Sequence, residues 1–168
     1  MSSDPLVTAR LVALGIFGVS AGALGAAYVA QYGFGLEPCI LCLYQRVPYL
    51  LAGLIALLSL FLSPEARLQR PLVLAGAVLF AVGGAIAFYH VGVERHWWVS
   101  VTACGGAAPT GIGIEQLRAD LLAKPARRCD QPEWDLFGIT MAGYNVVASL
   151  LLAIGTWYAA GFLKEGRR

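Results

Sequence analysis

The stretch PLVLAGAVLFAVGGAIAFYHVGV, residues 71–93, lies between Arg70 and Glu94 and holds no formally charged side chain. A run of about 20 mostly apolar residues is what an α-helix needs to cross a bilayer. Hydrocarbon offers the backbone no hydrogen-bond partners, so a spanning segment must satisfy its own amides. Three more uncharged runs are long enough to cross: residues 11–36, 47–64 and 136–163. The composition agrees, with 58% apolar and 13% charged residues in a chain of 168. That balance is well off the soluble average and fits a surface facing lipid. The reading is all-α: a four-helix transmembrane bundle in a single integral membrane domain over residues 1–168. The predicted spans are 11–32, 43–62, 71–91 and 140–162, with extramembrane segments at 33–42 and 92–138.

A fifth uncharged run, 96–114, holds Gly105, Gly106, Pro109, Gly111 and Gly113 and reads as a loop near the surface, because such backbone would be left unpaired in lipid. The first span follows Arg10 but is too long for the core of a signal peptide, which covers about 7 to 15 residues. Glycines recur in the first span (Gly15, Gly18, Gly22, Gly25) and the third (Gly76, Gly83, Gly84), where they would let helices approach closely. Trp97, Trp98, Trp134 and Tyr144 lie near span ends, as interfacial anchors do. Within the long link, GIEQLRADLLAK, residues 113–124, spaces Ile114, Leu117, Leu121 and Leu122 as a short amphipathic helix on the membrane surface. A net charge of +2 with no basic, aromatic-interleaved strip argues against nucleic acid as a partner.

Four spans put both termini on one side and all four cysteines on the other. Lys and Arg divide six to six between the sides, but Arg67 and Arg70 in the short middle link favour placing that link and the termini inside. Persistent disulfides also belong to oxidising compartments.

The cysteines carry the chemistry. In EPCILCLYQR, residues 37–46, Pro38 suits the first position of a helix, which would place Cys39 and Cys42 in its first turns. Exposed amides there favour thiolate over thiol. The spacing also puts Arg46 on roughly the same face, where it could sit beside the sulfurs. Pro48 is expected to kink this helix and open a gap just past the arginine. A c-type heme site is excluded because Leu43 follows Cys42, and no strand-helix-strand pattern supports a thioredoxin-like domain. Zinc is disfavoured because Cys104 and Cys129 do not form a second close dyad. Cys104 and Cys129 read either as a structural staple of the outer loop or, with the dyad, as a relay passing electrons by thiol-disulfide exchange. A relay needs an acceptor, and with no heme, flavin or iron-sulfur signature a lipid-soluble quinone is the candidate. Arg46 would then bind a quinone oxygen.

PCILCLYQR at residues 38–46, FYHVGVE at 88–94, Cys104, and CDQPEWDLFGITMAGYN at 129–145 together resemble the DsbB family, disulfide bond formation protein B of bacterial inner membranes. The likeness covers nearly the whole chain. It implies a quinone-dependent protein-disulfide oxidoreductase of the inner membrane, with cytoplasmic termini and periplasmic cysteine loops. It also implies that the enzyme reoxidises a DsbA-like thioredoxin-fold partner and passes electrons to ubiquinone, or to menaquinone. Carried over by resemblance, Cys104 is the sulfur attacked by the partner and Cys129 its pair. Cys129 then exchanges with Cys39, releasing Cys42 as a thiolate against quinone beside Arg46. His90 matches a histidine of the quinone site, and Gln45 is a softer match. The alternatives are an oxidase like vitamin K epoxide reductase, disfavoured because here the dyad precedes the loop cysteines, and a noncatalytic membrane protein whose cysteines bind zinc or staple loops.

Overall fold

The computed structural model describes residues 5–62, 66–99, 128–132 and 134–165. Four long helices dominate it: α1 (Pro5–Gly33), α2 (Ile40–Leu62), α3 (Ala66–Glu94) and α4 (Met141–Glu165). Each contains a stretch long and apolar enough to cross a membrane: Val7–Gly33, Ile40–Phe61, Leu68–Glu94 and Met141–Leu163. The protein is a multi-pass four-helix membrane bundle. Large side chains such as Leu11, Leu14, Leu54, Val82, Leu151 and Trp157 stand exposed around its circumference, which in a membrane is contact with lipid. Both the segment 113–124, expected to be an amphipathic helix, and Cys104 lie outside the described residues.

α3 lies between α2 and α4, and α1 packs mainly against α2. The core joins Ile16, Tyr49, Ala52, Ala56, Val73, Phe80 and Ala160. Tyr49 meets Phe80 edge to face at 5.6 Å, a favoured aromatic geometry.

Close approach depends on small residues, but not on all of those expected. A Cβ added at Gly84 would touch Ser149 at 3.4 Å, and one at Gly83 would meet the Pro48 ring at 3.3 Å. Around Gly15, Gly18, Gly22 and Gly25, by contrast, nothing lies within 4 Å. The first-span glycines therefore face away from the helix contacts, which α1 makes with buried Ala9, Ala13 and Ser20. Spacing alone gives a stripe of small residues without saying which way it points. α2 runs as one helix through Pro48, whose ring is accommodated at Gly83.

The helix ends near the cysteines are specific. α3 closes with His96 in the left-handed region at φ 58°. The His96 amide donates to the Val93 carbonyl and the Trp97 amide to the Gly92 carbonyl, at 3.1 and 2.8 Å, the paired bonds of a Schellman cap. The reversal lays Trp98 back on α3. It stacks on Tyr89 at 5.8 Å and donates to the Tyr89 carbonyl. A Cβ at Gly92 would run into that ring, so the glycine lets Trp98 lie this close to α3.

Ahead of α4, a two-strand hairpin pairs β1 (Asp135–Leu136) with β2 (Ile139–Thr140), with Asp135 opposite Thr140. Its turn residues Phe137 and Gly138 both have positive φ, 54° and 75°, as a two-residue type I′ hairpin requires. Thr140 then caps α4, its hydroxyl accepting from the Gly143 amide at 3.2 Å and donating to Glu94 at 2.6 Å.

Candidate functional site: the cysteine dyad and its cavity

α2 begins at Ile40, so Cys39 occupies the position just outside the helix and Pro38 precedes it. The sequence predicts Pro38 at the first helical position with both cysteines inside, whereas the helix starts two residues later. The difference has a cause: the Cys39 sulfur accepts the Cys42 amide at 3.4 Å, and the Cys39 carbonyl takes the first helical bond, from Leu43. Cys39 is thus the N-cap, a role usually filled by a hydroxyl or carboxylate.

Cys39 and Cys42 are free thiols with their sulfurs 3.2 Å apart. Cys39 is buried and also meets His90 Nε2 at 3.6 Å. The Cys39 thiol is held down to about 4, first by the hydrogen bond with Cys42, then by His90 and the Cys42 amide, against burial. Anion stabilisation therefore centres on Cys39.

Arg46 does not provide it. Its guanidinium donates to Gln31 Oε1 of α1 at 2.7 Å and lies 5.1 Å over the Tyr28 ring. The arginine spans α1 and α2 across the cavity instead of lying against a sulfur.

That cavity measures about 310 Å³, at the lower end of the range for small-molecule sites. One wall is alanine and leucine from α1, including Ala23, Leu24, Ala27 and Ala30. The lining also includes Cys39, Cys42, Arg46, His90 and Glu94. A cavity therefore lies beside Arg46, bounded by α1 and lined by the dyad, but Pro48, expected to open it, is not among the residues that line it.

Cys129 is buried and disulfide-bonded. With Cys39 and Cys42 both free, its partner lies outside the described residues. Cys129 packs in one cluster with Cys39, Leu41 and Val93, with Cys42 and Tyr89 against it, and a backbone hydrogen bond links it to His90. Three of the four cysteines therefore converge. Next to Cys129, Arg128 forms an exposed two-bond pair with Asp130 at 3.0 and 2.7 Å, which lowers the Asp130 carboxyl and raises Arg128.

Behind the dyad, His90 is buried, 3.6 Å from Glu94, and its Nδ1 meets Gln45 at 2.8 Å. Cys39, Cys42 and His90 offer ligand atoms all within 4.8 Å of one another. This set differs from the four-cysteine one considered from sequence. Sequence reading also missed Gln31, Glu94 and Asn145. The available signal was that Gln31 and Asn145 are isolated polar residues inside otherwise apolar spans, which by default mark function.

Comparison with known proteins fits this arrangement. The family model described as Disulfide bond formation protein DsbB matches residues 9–159. The chain belongs to the DsbB family. Among similar proteins, Disulfide bond formation protein B of Marinobacter nauticus is 30% identical, over 89% of this chain and 90% of its own length. The protein of the same name from Nitrosospira multiformis is 29% identical over 99% of both. An uncharacterized protein of Rickettsia prowazekii, RP370, is 29% identical over 86% of this chain and 84% of its own. No solved structure matches. As a DsbB-family chain with four membrane helices, it is a membrane disulfide bond formation protein.

Proposed function

We propose that this DsbB-family protein reoxidises a periplasmic DsbA-like dithiol oxidase and passes the two electrons, through two cysteine pairs, to a membrane quinone. The observation that carries the reading is the convergence of the free Cys39–Cys42 pair and disulfide-bonded Cys129 at one cavity. The residues fit a quinone: an apolar α1 wall suits a ring and tail, while Arg46 provides a charged donor for a ring oxygen and His90, engaged by Gln45 and Cys39, lines the same cavity. When bound, a quinone accepts two electrons and two protons.

The chain's own residues divide the work. Cys104 takes the attack of the partner's thiolate, and the displaced Cys129 leaves as thiolate. Cys129 then attacks Cys39 in a Cys39–Cys42 disulfide, and Cys42 leaves with the electron pair of the broken bond. Each exchange consumes one thiolate and yields one, so net oxidation occurs only where the dyad meets the acceptor. Arg46, held by Gln31 and Tyr28, is placed to bind developing negative charge on a ring oxygen. Ubiquinone is the acceptor we favour over menaquinone. The cysteine loops face the periplasm of a bacterial inner membrane and the termini face the cytoplasm, with Arg67 and Arg70 at the cytoplasmic start of α3.

The test is anaerobic mixing of purified protein, reduced DsbA-like partner and quinone. Expected are partner oxidation in step with quinone loss and a visible absorption band that requires Cys42. Cys104→Ser should abolish partner oxidation while leaving quinone reduction by a small dithiol. Equal loss of both would break the division of roles, and a stoichiometric metal with inert thiols would overturn the reading.

A further inference from the structure

Four polar side chains from α2, α3 and α4 form a line behind the dyad, and each link has a readable direction. Tyr49 O–H donates to Asn145 Oδ1 at 2.7 Å. Asn145 Nδ2 donates to Gln45 Oε1 at 2.6 Å. Gln45 Nε2 contacts His90 Nδ1 at 2.8 Å and also donates to the Leu41 carbonyl at 3.3 Å. Amide orientation is normally ambiguous, because oxygen and nitrogen can be exchanged. Here the Leu41 carbonyl removes the ambiguity, since it can only accept. Gln45 must present its NH₂ there and so also to His90. Its oxygen then faces Asn145, which must present its own NH₂ and turn its oxygen to Tyr49.

With Gln45 donating to Nδ1, that nitrogen must accept, and the ring proton of His90 resides on Nε2. Nε2 faces acceptors, Cys39 Sγ at 3.6 Å and Glu94 Oε1 at 3.6 Å, and the Cys129 backbone accepts from the same ring. We propose that Asn145 is a positioning residue which, acting through Gln45, fixes His90 as the Nε2–H tautomer and aims that proton at the Cys39 sulfur. This deepens the reading of the dyad as a redox pair. When a thiolate attacks Cys129 in a Cys39–Cys129 disulfide, an S–S bond forms at Cys129 and Cys39 leaves as thiolate with the electrons of the broken bond. The oriented N–H stabilises that leaving anion. The same direction disfavours a metal on Cys39, Cys42 and His90. A metal at Nε2 with a donor already on Nδ1 would require an imidazolate, or a flipped Gln45 that gives up Leu41.

Polar residues buried among membrane helices are rare unless they serve such a purpose, and Gln45, Tyr49, His90 and Ser149 are all buried. Ser149 completes the arrangement, 3.0 Å from the Tyr49 hydroxyl and donating to Asn145 Oδ1 at 3.3 Å. Among the described residues, the other ionisable groups lining this cavity are Cys42, Arg46 and Tyr49 from α2, Glu94 from α3, Glu37 before α2 and Arg128 beside Cys129. α4 contributes the uncharged Asn145 to this cavity.

The experiment uses the full-length, reduced protein in detergent, labelled with ¹⁵N-histidine, with neither quinone nor partner present. Nitrogen shifts of His90, assigned by comparison with His90→Gln, should report Nε2–H in the unmodified chain. Asn145→Asp keeps the shape but offers a carboxylate that only accepts. Gln45 should then turn, His90 should switch to Nδ1–H, and Cys39 alkylation at acidic pH should slow by about tenfold as its thiolate loses a donor. An Nδ1–H tautomer in the unmodified chain would overturn the proposal, whatever becomes of the variant. So would an Asn145→Asp protein with the tautomer and alkylation profile both unchanged. A chain that shows the expected tautomers but reduces no quinone would sink the functional reading and leave this one standing.

Discussion

At the end of the bundle that holds Cys39, α2, α3 and α4 turn Gln45, Tyr49, His90 and Asn145 toward one another beside a cavity of about 310 Å³. Toward the other end, Ala13 and Ile16 of α1 meet Ala52 and Ala56 of α2 and Val73 of α3 around a space of only about 10 Å³. Polar side chains occur there too, but they bond to backbone: Ser59 to the Ala56 carbonyl and Gln69 to that of Ser59. Small apolar residues bring the helices together at the far end. Near the dyad, side chains bonded to other side chains replace close packing and leave room for a ligand. What differs is whether polar side chains bond to backbone carbonyls or to one another across helices.

The largest effect that could sharpen this contrast is the pH dependence of Cys39. An ordinary cysteine titrates near 8.5, whereas Cys39 is held down to about 4 chiefly by the Cys42 hydrogen bond. Between those values the folded, reduced chain binds fewer protons than the unfolded chain. This contribution to stability is therefore full above the ordinary value and is lost as pH falls through about 4. Iodoacetamide should alkylate Cys39 at a nearly constant rate from pH 8 to about pH 5, then more slowly. Cys42→Ala should move the midpoint up toward the ordinary range. A midpoint near 9 in the unmodified protein would show that the dyad end does not stabilise the anion.

The next effect concerns the side of the cavity that α1 forms. A charge-assisted hydrogen bond contributes about 1.5–3 kcal/mol, so Arg46→Ala should raise the apparent KM for quinone by about 10- to 100-fold. Partner docking should change little. An unchanged quinone KM would leave Arg46 as a structural strap between Gln31 and Tyr28 and nothing more.

Much of this arrangement is legible in the sequence, because charge-free runs such as residues 71–93 have few alternatives to a spanning helix. The dyad was legible as chemistry, since PCILC has few structural uses in an apolar chain. Which sulfur is favoured as the anion was not. That depends on α2 starting at Ile40, one residue after Cys39, a boundary set by the capping sulfur rather than by Pro38. Arg46 could be placed on the face of the dyad, but its choice of Gln31 required the position of α1. Asn145 takes its meaning from Gln45 and Tyr49, roughly a hundred residues earlier in the chain, so its own stretch of sequence does not reveal it. The glycines of α1 show the reverse case: a clear sequence pattern whose direction helical spacing could not supply.

The smallest expected effect on chemistry comes from the closed end. Ala56 is buried in the core shared by α1, α2 and α3, and the space beside it, about 10 Å³, is near the minimum for one water. Ala56→Leu adds a branched side chain larger than the space beside it, and overpacking of this kind costs about 1–3 kcal/mol. The melting temperature in detergent should fall, while quinone reduction per folded molecule stays within about twofold, since separated sites act nearly independently. A loss of turnover as large as that from Arg46→Ala would mean that tight packing at the far end sets the width of the cavity. The two ends would then be a single mechanical unit, with close packing in one half holding open the space in the other.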